Sequence, residues 1–264
     1  MSRSTRLQAN RLQTLVSLLE GIILVIAGTF AGFVNSIAGG GSLVIMPLLI
    51  FMGLPSAEAN GSNRVAILIQ NVFSVAGYRS KGIYEFPFAI YVAIPAVIGA
   101  IIGSKIAVDI SDQLFNRILA IVMLTVMGIT IFKPGLKASA EAMFSKGKIW
   151  TSVVIFFFLG IYGGFIQAGI GFLIIATLTT VHGLSMARTN SIKVFVILCY
   201  TFAAVIVFYL EGKIRWEYGL TLAAGNSVGA WIGSRWSVGR SDRLIRLILL
   251  VMVVTLSIKL WFFS

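Results

Sequence analysis

The chain has 264 residues, 58% of them hydrophobic and only 11% charged, with a formal net charge of +12. A mean hydropathy of +0.97 leaves too few polar groups to cover a soluble domain. Apolar runs near the ~20 residues that cross a hydrocarbon core recur along its length, so an all-α integral membrane protein is expected. The run Leu247–Phe263 does not alternate, which argues against a β-barrel.

Lys and Arg lie mostly in short connections, not on a basic face with aromatic platforms. That pattern fits loops held near anionic lipid and argues against a nucleic-acid partner. Cys199 is the only cysteine and His182 the only histidine, so neither an intrachain disulfide nor a metal site is expected, and no cofactor is called for.

In chain order, a basic head precedes the first apolar run, as in a secretory signal. The region that follows has a counterpart in mid-chain, so the segment is expected to be retained. The first long segment, Gly21–Gly53, contains "GFVNSIAGGGSLVIMPLLIFMG". It is too long for one span and too short for two with a turn. Gly39, Gly40 and Gly41 would break the helix, and free backbone groups inside a membrane must line something polar. Ser42 is expected to cap the resumed helix, whose amino end favours an anion. Asn35 stands just before this break. The next segment, Arg64–Tyr78, opens on Asn63 and Arg64, with Gln70 and Asn71 further along; Phe86–Ala107 and Leu114–Phe132 follow.

The second half repeats this plan after a basic connection at 135–149. Trp150–Gly183 carries Gln167 before a second break at Gly169 and Gly171. Asn190–Leu210 opens on Asn190 and Lys193, and Trp216–Val238 and Arg243–Phe263 complete the half. "GAIIGSKIAVDISDQLFNRIL" (Gly99–Leu119) aligns without a gap with "GAWIGSRWSVGRSDRLIRLIL" (Gly229–Leu249). "GTFAGF" faces "GIYGGF", and "GGGSLVI" faces "GIGFLII". A duplication is therefore expected: repeats at 1–134 and 150–264, each of four helices with a broken or re-entrant helix, and a substrate site between them. If each broken segment crosses once, most basic connections share one side. That gives about eight crossings, both termini cytoplasmic and two halves of the same orientation; the arginines of "GSRWSVGRSDRLIR" do not fit. Gly99 with Gly103, and Gly229 with Gly233, have the spacing of close helix packing.

No Asp or Glu stands in the middle of an apolar segment, which removes the ligands a cation substrate would need. Arg64 and Lys193, one per half, with amides beside them, suit an oxyanion; each stands within a turn of its segment's end, where snorkelling is the rival role.

The stretch "AGFVNSIAGGGSLVIMPLLIFMGLPSAEANGSNRVAIL" resembles the signature region of the sulfite exporter TauE/SafE (TSUP) family, and the repeat and length match it along essentially the whole chain. The sequence departs from the pattern at Ser62-Asn63, where Thr-Asn is usual, while Thr189-Asn190 keeps it. The resemblance implies a multi-pass protein of the bacterial cytoplasmic membrane that moves sulfite, organosulfonates or related anions. The sequence lacks the His/Asp/Glu/Cys constellation an enzyme would want, and the alternatives are a transporter of another small anion such as a carboxylate or a non-transporting membrane partner subunit. The expected partners are a small anionic substrate and the lipid bilayer, with homo-oligomerisation left open. The candidate binding residues are Asn35, Gly39, Gly40, Gly41, Ser42, Asn63, Arg64, Gln70, Gln167, Gly169, Gly171, Asn190 and Lys193.

Overall fold

The computed structural model describes residues 17–132 and 145–238. The expected segment Arg243–Phe263, the amino-terminal arginines and Lys133 and Lys137 lie outside them. The described residues form helices without strands: α1 Leu18–Ile37, α2 Ser42–Phe51, α3 Ser56–Arg79, α4 Phe86–Asp109, α5 Asp112–Phe132, α6 Lys146–Phe165, α7 Ile170–His182, α8 Met186–Leu210 and α9 Trp216–Trp236. Among them α1, α4, α6 and α8 are long and apolar enough to cross a membrane, and α2 and α7 are shorter apolar helices. These four helices fit an integral membrane protein.

Start signals are local. Ser17 Oγ accepts the Glu20 N–H, and Glu20 returns a carboxylate to the Ser17 N–H at 2.8 Å, a capping box that opens α1. Small residues then set the packing. A side chain on Gly32 would run into the backbone of Asn226, and one on Gly229 into the Thr29 carbonyl, so α1 and α9 lie backbone to backbone. Gly99, Gly103, Gly160 and Gly164 pack α4 on α6 in the same way. The packing role expected for the Gly99/Gly103 and Gly229/Gly233 pairs is what the helices use.

These contacts also fix directions. Gly28 meets Leu222 while Gly233 meets Phe33, so α1 and α9 are parallel; Gly219 meets Ser62 and Gly77 meets Ser234, so α3 runs with them. Gly61 approaches Lys213, and Ser191 Oγ donates to the Ile83 carbonyl at 3.0 Å, so α3 and α8 are antiparallel. The expected counterparts α1 and α6, α3 and α8, and α4 and α9 therefore run in opposite senses. This corrects the same-orientation expectation.

The single-crossing expectation for the broken segments is corrected too. Ser152 Oγ is 2.7 Å from His182 Nε2, and a side chain on Gly163 would meet Ile170. α7 thus folds back along α6. Gly41 packs against the Ala31 carbonyl, and α2 returns likewise toward the start of α3. One buried cluster joins α2 to Leu24, Phe115 and Leu222; a second joins α4, α7 and α8.

Candidate functional site

Each break places two helix ends at the centre of the bundle. In the first, α1 ends at Ile37 and Gly39 takes φ +84°. Gly41 is the N-cap of α2 and makes no side-chain cap; Ser42 is already the first helical residue. The expected Ser42 cap is therefore corrected. Asn35 replaces it, its Oδ1 accepting the Gly41 N–H at 2.7 Å. In the second break Gln167 takes φ +66°, the one non-glycine positive φ among the described residues, and Gly169, the N-cap of α7, takes φ +74°. A side chain added to Gly39 would overlap Gly171 Cα, and the reverse holds, so the two breaks touch through bare backbone. Gly40 is buried beside them.

The carboxyl ends of the broken helices carry carbonyls without intrahelical donors, which are costly inside a membrane. Each is served from the opposite half. Asn190 Nδ2 donates to the Ile37 carbonyl at 3.0 Å, and Lys193 Nζ donates to the Asn35 and Ser36 carbonyls at 2.9 and 3.1 Å. These are the last three carbonyls of α1. At the last three of α6, Asn60 Nδ2 donates to Phe165 at 2.7 Å, and Arg64 Nη1 and Nη2 donate to Gly163 and Gly164 at 3.0 and 2.5 Å. An amide and a cation from each half thus close the helix of the other. The cations sit at the negative ends of two helix dipoles, each equivalent to about half a charge.

Arg64 and Lys193 are wholly buried. Both stand about two turns inside their helices, because α3 begins at Ser56 and α8 at Met186. The expectation that they lie within a turn of a segment end, as snorkelling would need, is corrected. Arg64 stacks over Phe208, its Cζ 4.9 Å from the ring centre, and Nη1 also donates to Gln167 Oε1 at 2.9 Å. No carboxylate of the described residues pairs with Arg64. The ion pairs there, Arg188 with Glu85 and Arg215 with Glu58 and Glu217, lie at the ends of helices. Arg215 is held above its ordinary pKa, first by its hydrogen bond to Glu217.

Amides link the first break to the rest. Gln70 Oε1 accepts from Asn35 at 3.1 Å and from Asn226 at 3.3 Å. Gln167 Nε2 donates to Thr201. The structure therefore groups Asn35, Gly41 and Gln70; Arg64 and Gln167; Asn190 and Lys193 with the carbonyls of α1; and Gly39 with Gly171. Arg64 and Lys193 serve different helix ends. Asn63 is buried, and neither its Nδ2 nor its Oδ1 has a hydrogen bond. Asn60, Asn226 and Tyr200 were not singled out from the sequence. Asn60 sits in the polar run "SAEANGSN", which reads as a loop, whereas Asn226 is a lone amide among small residues and was findable on that ground.

A cavity of about 410 Å³ opens beside this centre. Val75 and Arg79 of α3, residues 83–85 of the following turn, Phe86 of α4, and Ser191, Ile192 and Phe195 of α8 are in its wall. Ser191 and Ile192 are the two residues between Asn190 and Lys193.

Known proteins share this chain's length and span. It is 23% identical over 237 residues to a protein named "Probable membrane transporter protein ORF9" from Sinorhizobium sp, covering 90% of each. It is 22% identical over 255 residues to "Probable membrane transporter protein YfcA" of Escherichia coli strain K12, covering 97% of this chain and 94% of that one. With "Probable membrane transporter protein YunE" of Bacillus subtilis strain 168 it shares 21% over 265 aligned positions. No solved structure matches. The family described as sulfite exporter TauE/SafE matches residues 24–260, a span that takes in both helix breaks and both buried cations, and the chain belongs to that family of membrane proteins.

Proposed function

We propose that the protein is a secondary transporter or facilitator for sulfite or a small organosulfonate, with its site where the two halves meet at the helix breaks. The observation that carries this is Arg64: a fully buried guanidinium with no carboxylate partner among the described residues. Two helix-end carbonyls and an amide oxygen offset its charge only in part, and an oxyanion would complete the neutralisation. Arg offers a planar fork of donors to such an anion. Asn63 and the N–H groups of Ser42 and Gly171, at the starts of α2 and α7, would add uncharged donors. Asn35, Gln70, Gln167, Asn190 and Lys193 then position the broken helices around the ligand.

Alternating access fits halves whose corresponding helices run in opposite senses, the arrangement of inverted repeats about a mid-membrane site. Transport follows from relative movement of the halves across the bare contact of Gly39 with Gly171, and the cavity beside Arg79 is the entrance at one end. That end carries Arg79, Lys81, Lys146, Lys148, Arg188 and Arg235 with Glu85; the other carries Glu20, Glu58, Asp109, Asp112, Glu211 and Glu217 with four cations. By the positive-inside rule the cavity end faces the cytoplasm.

Purified protein in detergent tests the substrate class through its melting temperature. Sulfite or a small sulfonate raises it in a saturable way, and Arg64→Gln loses the response. Stabilisation by carboxylates alone would replace the substrate, and stabilisation by cations alone would end the anion reading.

A further inference from the structure

We infer that the ligand seat is unequal between the halves: it lies on the Asn63–Arg64 side, and it takes an oxyanion that carries a hydrogen-bond donor of its own. This rests on the anion-transport reading above and narrows it.

The two cross-half caps differ in what they leave over. On the α8 side Asn190 uses both ends of its amide, donating to Ile37 and accepting from Lys193 at 2.8 Å, and Lys193 also reaches two carbonyls. On the α3 side several buried polar atoms have no partner: both amide atoms of Asn63, Arg64 Nε and Asn60 Oδ1. Asn60, Asn63 and Arg64 share one face of α3 by their three- and four-residue spacing. Tyr200 belongs to the same group. Its hydroxyl, beside Thr201, completes no hydrogen bond, and a side chain on Gly163, whose carbonyl Arg64 binds, would lie 3.1 Å from it.

Leaving buried polar atoms unbonded is costly, so such a cluster marks what a ligand would satisfy. The spare donors are Arg64 Nε–H, the Asn63 amide and the Tyr200 hydroxyl, which suit an oxyanion. The spare acceptors are the Asn60 and Asn63 oxygens. A fully deprotonated oxyanion would set its lone pairs against these two oxygens. A protonated oxyanion or an aminosulfonate presents an O–H or N–H to them and oxygens to the donors.

Binding of charge-matched probes to the full-length protein in detergent, followed by titration calorimetry, tests this. One pair is hydrogen sulfite at mildly acidic pH against methanesulfonate; the other is sulfamate against methanesulfonate, a monoanion of similar size without the N–H. The wild type is expected to prefer the donor-bearing member of at least one pair by about tenfold or more, and the pair that responds identifies an O–H or an N–H source. Asn63→Ala abolishes that preference. Tyr200→Phe, which removes only a hydroxyl, weakens all the probes by a similar factor and serves should Asn63→Ala fail to fold. Anions that bind with no preference in the wild type overturn this inference and leave the transport reading standing. A preference undiminished in Asn63→Ala, or Tyr200→Phe binding like wild type, overturns the seat. No binding of any anion overturns both.

Discussion

Gly39 and Gly53 both hold positive φ, +84° and +91°, yet they test different things. Nothing lies within 4 Å of a side chain added at Gly53, whereas at Gly39 it meets the Gly171 backbone. Gly53→Ala should cost only the left-handed strain, about 1–2 kcal/mol. Gly39→Ala should cost clearly more and separate the two breaks; unfolding of both variants in detergent checks the order. Ser42→Ala should be nearly silent, because Ser42 makes no cap. The importance of the glycine cluster was legible from its position inside an apolar run. The true cap was not: Asn35 acts across six residues through a backbone bend that no N-cap spacing describes. Arg64 and Lys193 were legible as site candidates by charge alone. Their depth was not, since the residues before them are polar and read as loop while the helix in fact begins at Ser56 and Met186.

At the scale of elements the exchange of caps is the organising contact. Asn60 closes α6 and Asn190 closes α1, so Asn60→Ala and Asn190→Ala should each destabilise by about 1–3 kcal/mol, the cost of a buried carbonyl left without its donor. Unfolding in denaturant at fixed detergent checks it; a neutral result for both would mean that the breaks do not depend on the opposite half. The small-residue stripes that pair α1 with α9 and α4 with α6 were readable from sequence, because close approach demands glycine in either direction. For the same reason the stripes carried no sense of direction. The fold-back of α2 and α7 was hidden likewise: a broken run of fixed length reads the same whether it continues or returns, and only contacts such as Ser152 with His182 decide.

For the whole molecule, helix directions place the α3–α4 turn and the α8–α9 turn at opposite ends. With Cys199 replaced by Ala, a cysteine at Ser80 should react with an impermeant maleimide only from the cytoplasmic side, and one at Glu211 only from the outside. Labelling of both from one side would contradict the fold-back. The central claim is that a buried cation framed by two broken helices carries an anion across the membrane. Its most direct test is sulfite and sulfonate flux into proteoliposomes, wild type against Arg64→Gln, at matched insertion. Saturable flux in the wild type that falls by at least about tenfold in Arg64→Gln is the predicted result. Flux equal in the two proteins, or no flux above empty liposomes for any anion, would contradict it.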